Sequence, residues 1–221
     1  MEQLALALVA FVGGHELLSH PLRKPIVAKI GNKGFEGLYS IVALGTFAWV
    51  VFAFRAAPLE VLWVAPSWVW TLSSLVMLGA AILFAGAFLA PNPSLNITGD
   101  VLTKSPMPMG VMRITRHPML WSFALWAAVH AAVAGTSAVL LLTAGIAFLS
   151  LFGARMQDGK KAAQLGSRWV AFEAASPFIP FGRGLAWPGW KATFGGLVIF
   201  LAATWLHPRL GAPVVGIWEY L

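Results

Sequence analysis

Apolar residues along this chain fall into six long runs, separated by shorter connections rich in proline, glycine and charge. The runs cover roughly 4–18, 38–54, 67–90, 118–134, 137–153 and 190–207. A helix needs about 20 mostly apolar residues to cross the hydrocarbon core, and each run reaches or approaches that length. The pattern predicts an all-α integral membrane bundle of about six transmembrane helices, forming one domain over 1–221. The first run is the shortest. It lacks the basic start and small-residue cleavage site of a signal peptide, so it counts as a span.

Composition agrees with that reading. Hydrophobic residues make up 59% of the chain and charged residues only 10%, against roughly 25% charged in an ordinary globular domain. Eleven tryptophans suit interfacial aromatic belts. With no cysteine, disulfides, thiolate catalysis, Cys–zinc sites and iron–sulfur clusters are all excluded.

The net charge of +7 would suggest nucleic acid in a soluble protein. Its distribution points to membrane topology instead. Thirteen of the 15 Lys and Arg residues lie in the first, third and fifth connections, and only Arg55 and Arg209 lie on the other side. The positive-inside rule then puts the three basic connections in the cytoplasm and both termini outside. The partner this implies is the lipid bilayer, not nucleic acid.

Glycines 13, 14, 79, 86, 145, 195 and 196 sit in or beside the spans, where small residues let helices or a flat ligand approach closely. The third connection is about 26 residues long and runs from Pro91-Asn92-Pro93-Ser94 to Arg113-Ile114-Thr115-Arg116-His117-Pro118. Connections of that length are uncommon unless functional or disordered, and Pro118 suits a first helical turn. The fifth connection holds Arg155, Asp158, Lys160 and Lys161. Farther on come Trp169, Phe172, Phe178 and Phe181 with cations near them, a pattern expected of an amphipathic segment at the membrane surface.

Ionisable residues inside spans are costly and mark functional sites by default. Here they are His15 and His130, with Glu16 beside the first. Neutral imidazole is a usual axial ligand of haem iron. His117 and His130 are about 20 Å apart along one straight helix, too far to share a metal ion. His15 and His20 point to different sides of theirs. A bis-histidine site must therefore pair the first span with the fourth. His207, beside Pro208, is expected at the interface. The sequence carries no Walker-type loop, zinc-protease motif or nucleophile elbow.

Several elements, taken in order, resemble the NnrU family of bacterial membrane proteins. They are His15 with Leu22-Arg23, Leu38-Tyr39-Ser40, Asn92-Pro93-Ser94, Ile114-Thr115-Arg116-His117-Pro118, and Leu125-Trp126-Ala127 with His130. Asp158 before Leu165-Gly166-Ser167-Arg168-Trp169, then Pro180-Phe181-Gly182-Arg183, complete the set. One departure is Ala134-Gly135-Thr136, where the family usually has Asn-Gly-Asp.

The resemblance implies a multi-pass protein of the bacterial inner membrane, associated with denitrification and nitric oxide metabolism. The family is also similar to the 15-cis-zeta-carotene isomerase of plants and cyanobacteria, a haem b membrane enzyme. That likeness implies haem b as cofactor and a lipophilic polyene or isoprenoid as substrate. It implies His15 and His130 as the metal's axial ligands, with His117 as a supporting or alternate ligand. Arg116, at the cytoplasmic start of the fourth span, would meet an anionic group such as a haem propionate or a lipid phosphate. By residue count, His15 lies about 8–13 Å from the cytoplasmic edge and His130 about 15–20 Å.

Two readings compete with this one. The Arg-His-Pro helix start and the later Gly-x-x-Trp segment also resemble S-adenosylmethionine-dependent membrane methyltransferases of the isoprenylcysteine type, although only one acid, Asp158, stands where those have two. The other is a non-catalytic assembly or sensor subunit, in an oligomer or larger membrane complex.

Overall fold

The computed structural model describes residues 1–95 and 100–219, and among them it is helical, with no strand. The helices are α1 (Glu2–Ser19), α2 (Arg23–Arg55), α3 (Ser67–Leu89), α4 (Asp100–Lys104), α5 (Pro118–Val133), α6 (Ser137–Leu165), α7 (Ser167–Ala175) and α8 (Trp190–Leu206). The long helices stand side by side in the order α2, α1, α6, α5, α3, α8. Three of them, α2, α3 and α6, are long and apolar enough to cross a membrane, and α5 and α8 are shorter apolar helices. Almost none of the apolar window of α2 is buried by protein. Its Ile41, Leu44 and Phe52 are exposed, as expected of side chains that face lipid rather than water.

Two helices run beyond their apolar stretches. The basic segment Arg23–Lys33, expected as a connection, forms the first turns of α2, which bends at Gly31. There φ is +73°, a conformation that glycine adopts without steric cost. Likewise the apolar part of α6 ends near Gly153, but the helix continues through Asp158 and Lys161 to Leu165. Arg155, Met156, Gln157, Lys160, Lys161, Ala162, Ala163 and Gln164, all of good helix propensity, carry the α6 extension past its apolar stretch. Gly166, at φ +58°, then redirects the chain into α7.

The largest correction concerns α7. Trp169 and Phe172 do not lie on the membrane surface; both are fully buried. They pack with Leu83, Leu102, Val111, Met112 and Ala192 into a core at the end of the bundle. A nine-residue helix with two large rings toward protein buries far more apolar area there than at an interface. The long third connection is part of the same cap. At Gly86 a side chain would collide with Val111, and at Gly196 with the Ile82 backbone, so these two glycines do serve close packing. Gly13 and Gly79 face open space.

At the opposite end, Leu62 N–H donates to Gly135 O (2.7 Å), Ser137 N–H to Glu60 O (3.1 Å) and Trp63 Nε1–H to Ala132 O (3.0 Å). The Ala134-Gly135-Thr136 turn thus ties two connections together. Thr136 Oγ1 accepts from Val139 N–H and caps α6.

Candidate functional site

The most concentrated polar site lies at the capped end. Arg116 and His117 sit just before Pro118 opens α5, and both are buried. The Arg116 guanidinium reaches Asp158 with Nε (3.1 Å) and Nη2 (2.7 Å), and Nη2 also reaches Glu173 Oε1 at 2.9 Å. Its Nη1 donates to Ser176 O at 3.2 Å. His117 Nε2 is 2.7 Å from Asp158 Oδ1 and its Nδ1 is 3.1 Å from Gln157 Oε1. Gln157 Nε2 in turn donates to Ser94 O at 3.0 Å, which orients the amide with its oxygen toward the histidine. Both ring nitrogens therefore face acceptors, an arrangement that a doubly protonated ring satisfies. Arg116 thus serves two carboxylates, and His117 adds a contact to one of them.

Backbone bonds complete it. Ser94 Oγ–H donates to Arg116 O (2.7 Å), Thr115 Oγ1–H to Phe178 O (2.7 Å) and Arg116 N–H to Pro177 O (2.9 Å). The Phe178 ring lies 5.5 Å from His117 and 5.2 Å from the Arg116 guanidinium carbon. Four pieces of chain far apart in sequence meet here: the Asn92-Pro93-Ser94 turn, the start of α5, the end of α6, and α7 with its exit. Burial pushes the Asp158 carboxyl up, but the hydrogen bonds and charges of His117 and Arg116 outweigh it and hold the group below its usual range. Chemically the cluster is a clamp: every charged group is spent on another.

Arg116 and His117 were expected to face a ligand, and in this geometry they face the protein. No ring nitrogen of His117 remains to bind iron, and the forked donors of Arg116 are taken by Asp158, Glu173 and Ser176. A second acid, Glu173, joins the cluster from α7; it follows the Gly166-x-x-Trp169 segment rather than preceding it, and Arg116 engages it.

His15 and His130 line different cavities. His15 opens into a cavity of about 550 Å³ between α1, α2, α5 and α6, lined also by Tyr39, Phe47, Phe123, Leu149 and Gln157. His130 lines a cavity of about 270 Å³ between α3, α5 and α8, with Trp126, Phe84 and His207. Among the described residues only Phe123 borders both. His130 stacks on Trp126 at a centroid separation of 4.2 Å, with His207 at 6.3 Å, whereas the ring neighbours of His15 are Phe11 at 4.4 Å and Tyr39 at 5.4 Å. The two histidines share one feature. His15 Nδ1 is 2.7 Å from Phe11 O and His130 Nδ1 is 2.8 Å from Trp126 O; a carbonyl only accepts, so Nδ1–H is the donor, and in a neutral ring Nε2 keeps its lone pair. Metal-binding histidines are commonly oriented in that way. Among the described residues no group of three or more His, Asp or Glu could hold a metal ion.

A third cavity, of about 380 Å³, adjoins that of His15 and shares Ser19, Tyr39, Gln157 and Lys160 with it. Arg23, Lys160 and Lys161 line it, with Glu36 on the same rim. Burial and the charge of Arg23 lower Lys160, and burial and the charge of Lys160 lower Lys161 to about 8.

Apolar helices long enough to span, a packed cap at one end and cavities between the helices define an integral membrane protein. The model of the NnrU protein family matches residues 3–214, and the chain belongs to that family. No curated protein and no solved structure matches it.

Proposed function

We propose that this NnrU-family protein takes a lipophilic small molecule from the bilayer into the cavity between α1, α2, α5 and α6. The observation that carries this reading is the cavity's lining. Phe11, Phe47, Leu120, Phe123, Ile146 and Leu149 provide an apolar wall, while His15, Glu16, His20, Tyr39, Gln157 and Lys160 supply polar groups, and an apolar pocket with convergent polar groups is the usual make-up of a ligand site. The protein is a multi-pass protein of the bacterial inner membrane in this reading, with its capped, basic end in the cytoplasm.

A haem b clasped by His15 and His130 together does not fit this geometry, because α5 stands between their cavities. One imidazole per cofactor does fit, and His15 has the proton arrangement and the larger space for it. A haem held there would supply an iron centre able to bind a small molecule such as nitric oxide. His15 would be its donor, fixed by the Phe11 carbonyl, and the aromatic wall would exclude water. No isomerisation step is assigned to these residues.

Filling the cavity tests the reading. Native mass spectrometry of the protein released from lipid should find a bound lipophile in the wild type and none in Leu149→Trp. Equal occupancy in the two would refute it.

A further inference from the structure

We propose that the ligand is a single-chain amphiphile with an anionic headgroup, its head on Arg23 and Lys160 and its chain along α6 toward Ile146. This rests on the lipophilic-ligand reading above and names the ligand's class.

The two adjoining cavities share four residues, so they form one groove with unlike ends. At the outer end Arg23 and Lys160 line the cavity, and Glu36 is the one acid among its described lining residues. Arg23 comes from the start of α2, while Lys160 comes from the end of α6. Two helices that do not follow each other in the chain therefore bring cations to one place. Arg23 and Lys160 reach this one place from two helices, where burial first and then the charge of Arg23 disfavour the Lys160 cation, and an anion set between them would offset that cost. Phosphate or carboxylate fits best, since Arg and Lys give it short charge-assisted hydrogen bonds.

The inner end is apolar. From Lys160 to Ile146 is about 21 Å along α6, more than half of the roughly 30 Å hydrocarbon core. Phe47, Leu120, Phe123 and Leu149 line this limb. One apolar limb accepts one chain, which selects against a two-chain phospholipid. The ionisable groups along the limb are His15, Glu16 and His20, and His20 Nε2 lies 3.3 Å from Glu16 Oε2. They offer the chain's first carbons a polar flank without adding a second cationic cluster.

The test uses the whole protein in phosphatidylcholine nanodiscs and two photoreactive probes, dodecyl phosphate and dodecanol, each with a diazirine at the chain end. The phosphate should label peptides around Phe123, Ile146 and Leu149, and the alcohol should label them about tenfold less. Arg23→Gln combined with Lys160→Gln should abolish that difference, and Arg23→Lys with Lys160→Arg should keep it. Melting temperatures of both double variants establish that they fold. Equal labelling by the two probes in the wild type, or an unchanged preference in the Gln variant, would overturn the anionic head while leaving the lipophilic cavity standing. Loss of labelling on adding equimolar inorganic phosphate, phosphatidylglycerol or haem b would also overturn it, by assigning the site to a free anion, bulk lipid or haem. No labelling of the limb by either probe would remove both readings.

Discussion

His117 Nε2 lies 2.7 Å from Asp158 Oδ1, and Arg116, the residue before it, holds the other oxygen of the same carboxylate at 2.7 Å. Neighbours at the start of α5 thus share one acid on α6. Because α6 is nearly continuous from the outer turn to the cap, this single carboxylate fixes the height of α5 against it. The Arg-His-Pro element is in this structure a joint, and its consequences are mechanical before they are chemical.

Arg116→Ala should therefore destabilise the protein rather than release a ligand. Removing one partner of a buried ion pair costs about 3–5 kcal/mol, because the other charge is left unpaired. Asp158 and Glu173 would both lose their guanidinium. Arg116→Lys should recover part of the loss but not all, since an ammonium cannot fork to two carboxylates. Thermal unfolding in detergent measures this. An Arg116→Ala protein as stable as the wild type would mean that the clamp contributes nothing.

The same carboxylate sets an acid limit. With its folded pKa held below the usual 3.8, Asp158 contributes stability that is fully present above that value. The contribution is lost as pH falls through the lower, folded pKa. Unfolding midpoints should be flat from neutral pH down to about 5 and fall below about 4. Asp158→Asn should start lower and lose less over that last interval. An identical fall in Asp158→Asn would assign the acid sensitivity to other groups.

Much of the fold is legible in the sequence because lipid imposes a strong, simple rule: five of the six apolar runs overlap helices whose apolar character the structure bears out, and the remaining run is α1. What hydropathy could not locate is where helices stop, since Arg23–Lys33 and Arg155–Leu165 are polar yet helical. Trp169 and Phe172 were misplaced for a related reason. Rings with flanking cations look alike at an interface and on a buried helix, and only the partners Val111 and Met112, far off in sequence, decide. Asp158 could have been found. A carboxylate just beyond an apolar helix, in a chain whose Arg116-His117 also abuts a span, invites pairing, although the contribution of Glu173 from α7 could not be read from spacing.

Topology follows from the charge distribution and can be checked directly. Reporter fusions at Asn32 and Gly159 should give cytoplasmic signals, and one at Ala65 should not. The arrangement of the cap agrees with this, because Arg23 and Lys160 line one cavity although one starts α2 and the other lies near the end of α6. A periplasmic signal from Gly159 would invert the bundle and place the cationic groove outside.

The histidines give the sharpest expectation. The protein reconstituted with haem b should bind it through His15 and not through His130. His15 has its Nδ1 tied to the Phe11 carbonyl, which leaves Nε2 as a donor toward a cavity of about 550 Å³, while His130 opens into one of about 270 Å³ across α5. The absorption spectrum should be that of a haem with one imidazole. His15→Ala should lose it, and His130→Ala, His207→Ala and His20→Ala should keep it. His117→Ala should also keep the spectrum, but at a lower melting temperature, since Asp158 loses a partner there. A six-coordinate, low-spin spectrum that either His15→Ala or His130→Ala converts to five-coordinate would show that both imidazoles reach one iron. In that case α5 would have to rotate or slide against α6, and the Arg116–Asp158 joint is the contact such a movement would break.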